Sequence, residues 1–170
     1  AGVWKAVARA ARPSVVVLLS PDHFLAGPAS ITLPGDVGFD TAFGYLPADR
    51  ELSDTLLRED SMRAQASGLY TEEHGVHTHA PFVAYYLPGT RFLPILIKPG
   101  TDTRALDQLM VDLRDTLPRD SLVVASVDFS HYNPVAFSRF HDAMSEAALE
   151  AMDASRSEEH TSELQSHHPI

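Results

Sequence analysis

The stretch EEHGVHTHAPF, Glu72 to Phe82, places His74, His77 and His79 within six positions. Imidazole serves as metal ligand, general base or pH-sensitive partner, and three so close together suit those chemistries better than core filling. Two further histidines follow apolar runs. SVVVLLSPDHF leads into Asp22 and His23, and SLVVASVDFSHY leads into Asp128, Ser130, His131 and Tyr132. In open α/β sheets, ligands bind beyond the carboxyl ends of strands. Two histidines at such ends, each with an aspartate at most three residues earlier, suit a metal ligand held in one tautomer or a general base. Asp22 and Asp128 each stay open between two roles, carboxylate ligand and group that orients an imidazole.

Within the histidine run, spacing separates the three. On a helix His74 and His77 share a face, while His79 points away from His74. Pro81 removes a helical hydrogen bond, so a helix here either starts near Thr78 with Pro81 in its first turn or runs through with a kink. Either way His74 stands at or before a helix start, where the chain reaches a pocket. Glu72 and Glu73 read as first-turn partners of the helix dipole. His79 reads as structural, His141 in SRFHDAM as structural or exposed, and Tyr85 and Tyr86 as core packing.

Other chemistries are excluded. The chain has no cysteine, hence no disulfide, thiolate ligand or Cys nucleophile. LPGDVGFD and KPGTDT lack phosphate-loop spacing, and Ser20 and Ser130 lack the G-x-S-x-G elbow of a serine hydrolase. A formal charge of −10 opposes non-specific binding to nucleic acid. No apolar run approaches the roughly 20 residues needed to span a membrane, and a cytoplasmic location is the default expectation.

The elements that position these residues alternate. WKAVARAA is helical in composition, SVVVLLS (residues 14–20) reads as a strand buried on both faces, and a Gly-, Pro- and Asp-rich connection follows with a short strand at Ile31 to Leu33. DRELSDTLLRED is a helix capped by Asp49. RFLPILIK is a second buried strand whose Pro94 points to an edge or a bulge. DTRALDQLMVDLRDTL is an amphipathic helix, SLVVASVDFS a third strand, and PVAFSRFHDAMSEAALEAMD a closing helix with Pro134 near its first turn. The pattern predicts an α/β three-layer sandwich: a mostly parallel or mixed central sheet with helices on both faces. One domain is expected over residues 1–155. From Arg156 onward, RSEEHTSELQSHHPI has no apolar periodicity and resembles a translated sequencing adapter, so residues 156–170 are expected to be non-native and their histidines carry no weight.

LLSPDHF, FGYLPADREL, EEHGVHTHAPF, FLPILI and VVASVDFSHY, in that order, resemble the Memo-like family (AmmeMemoRadiSam system protein B) over about Val15 to Met152. The resemblance implies a fold related to the LigB-type class III extradiol dioxygenases, with a histidine-lined pocket at one end of the sheet. It implies His23, His74 and His131 as metal ligands and His131 and Asp128 as catalytic groups, with Asp22, His77, Ser130 and Tyr132 as further pocket residues. The implied cofactor is a divalent metal, iron(II) foremost, with copper or zinc as the other choices. Three readings follow: a non-haem iron enzyme of dioxygenase type, a zinc-type hydrolase, and a non-catalytic companion of radical-SAM and AMMECR-like partners. The chain departs from the family in beginning after its PHAGY-like segment, in carrying His77 where the family has Glu, and in ending before the family's later strands. A fragment cut at both ends is therefore expected.

Overall fold

Val15 to Leu18 are four consecutive apolar side chains with no exposed surface, which a strand achieves when both faces of its sheet are covered. The computed structural model describes residues 2–58, 62–130 and 133–151. In it β1 (Val15–Pro21) runs parallel to β6 (Arg91–Ile97) on one side and to β7 (Leu122–Ala125) on the other. Beyond β6 lies β2 (Ile31–Pro34), antiparallel to it and parallel to β5 (Arg63–Ala66), giving the order β5-β2-β6-β1-β7.

Side chains alternate across a strand, and each face has its own cover. Val16, Leu18, Phe92 and Leu96 pack with Trp4 of α1 (Gly2–Ala10) and with Ala80 and Val83 of α4 (Ala80–Tyr86). Val15, Val17, Leu93 and Ile95 face the other way, onto Leu52 and Leu56 of α2 (Arg50–Arg58) and Leu109 and Leu113 of α5 (Thr103–Thr116). This is the α/β sandwich with a mixed sheet that the sequence predicts. Asp49 caps α2 as expected, accepting from Leu52 N at 3.1 Å.

The chain divides into two compact units, residues 1–127 and 128–170. The sheet lies in the first. The second contains α6 (Val135–Glu150), with Pro134 as its N-cap residue, and residues 152–170, with the expected non-native tail, fall outside the described residues. Among the described residues no helix is long and apolar enough to cross a membrane.

Three elements correct the sequence reading. Pro94 sits inside the sheet, opposite Leu18. Phe92 turns its carbonyl away from β1 to Asp49 N (2.7 Å), and Pro94, two residues on, faces the same side. There β6 meets Ala48 at Phe92 and β2 only at Leu96 and Ile97, so no ladder bond is lost at residue 94. The connection read as irregular contains a hairpin, β3 (Gly38–Thr41) and β4 (Gly44–Pro47). Thr41 Oγ1 closes its turn, accepting from Phe43 N and donating to Gly44 O, and Gly44 takes φ +116°. The third difference is β5, a strand of RAQA that no apolar pattern announces.

Buried Arg63 of β5 donates through Nη1 to Leu56 O at 2.8 Å and pairs through Nη2 with Asp112. Removing one partner of a buried pair is costly because it leaves the other charge desolvated. Asp112→Ala is expected to cost about 3 kcal/mol, whereas Asp36→Ala, which removes a pair open to solvent, should cost at most about 0.5 kcal/mol. Urea unfolding of the two variants measures the contrast.

Candidate functional site

The segment leaving β1 is held tightly. Asp22, buried, accepts from Ala26 N (3.2 Å) and Gly27 N (2.8 Å), and its own N–H reaches Ile97 O at 2.8 Å. Leu25 adopts φ +53°, a left-handed conformation that costs free energy in a residue bearing a Cβ. A side chain at Gly27 would collide with Thr32 Oγ1 and Asp22 Oδ2. Asp22 thus braces a short loop whose first residues are His23 and Phe24. Both carboxylate oxygens serve that bracing.

The second wall comes from α3 (His74–His77). Glu73 is its N-cap and accepts from Gly75 N at 3.0 Å, the ordinary work of a capping carboxylate. The same Oε1 lies 2.5 Å from His23 Nδ1, and Oε2 accepts from His23 N at 3.1 Å. His74 Nδ1 stands 3.7 Å from Oε1, and the His23 and His74 rings lie with centroids 3.9 Å apart, their planes tilted by 33°. The Phe24 ring meets His74 edge-on. One ligand atom from each of His23, Glu73 and His74 can be chosen so that all lie within 4.8 Å of one another. The carboxylate is 1% exposed and the His74 side chain 56%, so a buried carboxylate stands beside a solvent-facing imidazole.

A cavity of about 200 Å³ adjoins Glu73, with Asp22, Phe24, Leu69 and Leu96 in its lining. Beneath the sheet end, the buried Tyr70 hydroxyl donates to Thr32 O at 2.7 Å, and burial pushes the phenol well above its ordinary value.

The sequence-predicted residues separate in space. His23 and His74 come together as expected, and Asp22 lines the adjoining cavity. His77 turns elsewhere: Nε2 is 2.7 Å from Thr71 O, and its ring meets Phe39 edge-on. His79 is structural, as expected, with Nδ1 accepting from Trp4 Nε1 at 3.0 Å. Asp128 and Ser130 belong to the second unit. There Asp128 is exposed, and Ser130 N donates to Asp142 Oδ1 at 3.0 Å. His131 and Tyr132 lie outside the described residues. His141 packs between Phe137 and Phe140 on α6, in line with a structural role. Tyr85, read as core, is instead exposed, with its ring centroid 4.6 Å from that of Phe43.

Glu73 is the residue the sequence reading misses. Expected as a first-turn dipole partner, it is instead the N-cap of α3, and its second duty depends on His23, 50 positions earlier. Gly75 is the other. A Cβ there would stand 2.1 Å from Ser20 Oγ, 3.2 Å from His23 Cε1 and 3.3 Å from Glu73 Oε1, so only glycine lets α3 approach the end of β1 this closely.

A family model described as "Memo-like protein" matches residues 1–168. A MEMO1 family protein of Methanopyrus kandleri is 30% identical over 137 residues, which are 79% of this chain and 48% of that protein. One from Pyrobaculum aerophilum is 26% identical, over 90% of this chain and 55% of that protein. The chain spans about half the length of the curated relatives it matches. The crystal structure of an uncharacterized protein from Escherichia coli K12 superposes with a TM-score of 0.53 at 15% identity, over 76% of this chain and 52% of that one, a likeness of fold.

Gly75→Ala is expected to destabilise the protein by about 1–3 kcal/mol through overpacking. Adding Ser20→Ala removes the closest contact and should restore more than half of the loss. Chemical denaturation of both variants against wild type provides the check.

Proposed function

The chain belongs to the Memo-like family, and from that premise we propose that His23, Glu73 and His74 form a metal site of non-haem iron(II) type in an oxidoreductase of dioxygenase kind. The observation that carries this reading is the donor set itself. Two imidazoles and one carboxylate, with ligand atoms within 4.8 Å of each other, match the two-histidine, one-carboxylate arrangement that iron(II) favours.

Bound iron would supply open coordination positions for oxygen and substrate. The protein's own residues do the rest. Glu73 brings the negative charge that offsets the cation, and its burial keeps that charge from being screened by water. Gly75 N and His23 N fix the carboxylate's orientation by donating to its two oxygens. Asp22 holds the loop that presents His23, and the cavity beside Glu73 offers room for a small organic substrate. The motif resemblance separately implies His131 as a metal ligand and Asp128 as a catalytic group.

The full chain is expected to take up close to one iron(II) per molecule, measured by elemental analysis after anaerobic loading and gel filtration. His23→Ala, His74→Ala and Glu73→Gln should each weaken binding by more than the roughly 10–100-fold that loss of a residue supporting a ligand costs. Oxygen uptake with a catechol should accompany the loaded protein and vanish in the same variants. Absence of iron binding, or binding indifferent to all three substitutions, overturns the reading. Zinc retained with metal-dependent turnover in the absence of oxygen would replace it with hydrolysis.

A further inference from the structure

We infer that Trp4 and His79 form a pH-sensitive latch that holds α1 against α4. Trp4 is the one fully buried anchor of α1; Val7 and Ala8 pack beside it only partly buried, and Val3 is exposed. Its indole Nε1–H donates to His79 Nδ1 at 3.0 Å, with the rings edge to face at 5.8 Å. That bond requires the imidazole to be neutral, with its proton on Nε2, since Nδ1 must offer a lone pair. Protonation at Nδ1 sets two N–H donors against each other, one of them on a buried indole with no other hydrogen-bond partner among the described residues.

The surroundings favour the neutral form. The ionisable side chains of the elements around His79 are Lys5 and Arg9 on α1, Tyr85 and Tyr86 on α4, His74 and His77 on α3, Asp40 on β3 and Tyr45 on β4. Among the described residues none makes a hydrogen bond or ion pair with this imidazole. Burial lowers its pKa from the ordinary value. The unfolded chain therefore takes up the proton first. The latch's contribution is complete above the ordinary imidazole pKa of about 6.5 and is lost as pH falls below it.

Release of α1 would uncover more than its own footing. Trp4 shares its apolar cluster with Val76, Ala80, Val83 and Leu87. Val76 lies on α3, directly after Gly75, so the helix bearing His74 loses part of its packing when α1 detaches. Acidification is thereby coupled to the segment beside Glu73 through side-chain packing, whether or not a metal is bound there.

Trp4 is the chain's single tryptophan, so it reports on the latch without labelling. Between pH 8 and pH 5 the wild-type emission is expected to shift reversibly to the red, with a midpoint below about 6.5 and unchanged far-ultraviolet circular dichroism. The indole N–H resonance should move with the same midpoint. His79→Gln keeps a side-chain acceptor but no titration, and should hold its emission constant across the range. Flat emission and an immobile indole resonance in the wild type would overturn the latch. So would an identical transition in His79→Gln. Should that variant fail to fold, the wild-type indole resonance followed against the His79 ring signals decides the matter, because unequal midpoints overturn the latch as well.

Discussion

The carboxylate of Glu73 ties the loop after β1 to the start of α3. It caps α3, it receives both the main-chain N–H and the ring of His23, and it is almost wholly removed from water. A buried carboxylate is tolerable only when its lone pairs are met. Meeting them obliges the loop after β1 and the start of α3 to sit against each other. Gly75 makes the approach sterically possible, and Asp22 keeps the loop from relaxing away. The close pair of imidazoles follows from these constraints, since His23 and His74 are the side chains carried on either side of the join.

How much of this could be read from the chain depends on the range of the interaction. β1, α2 and α5 were legible because their apolar spacing is local and strong, and Asp49 as a cap because a cap acts within three residues. His23 and His74 were legible as site residues by chemical type and by position at element ends. Glu73 was only half legible. Its capping role is local, but its partnership with His23 exists only once β1 has docked. The β3–β4 hairpin escaped because its turn, Ala42-Phe43 before Gly44, lacks the Asn-Gly or Asp-Gly signal, and β5 because its side chains are polar. Pro94 misled because the rule for proline in strands concerns the direction of one N–H. The order of whole strands does not decide it.

The three neighbouring histidines of the opening motif end in three different settings. His74 faces solvent beside Glu73, His77 binds the carbonyl of Thr71, and His79 is half-buried against Trp4. A change of direction between α3 and α4, with Pro81 in the first turn of the latter, sends successive imidazoles to separate neighbours. A histidine-rich string is therefore no measure of how many imidazoles meet at one point.

The pairing of β1 with β6 also governs when this fold can form. Val15 to Leu19 find their partners at Arg91 to Ile95, about eighty residues later. At a synthesis rate of roughly 5–20 residues per second, this apolar strand waits some 4–16 seconds for its first neighbour in the sheet. Through that interval the stickiest segment of the chain has neither edge paired. A strand buried on both faces in the finished sheet is thus an aggregation hazard while the chain is being made.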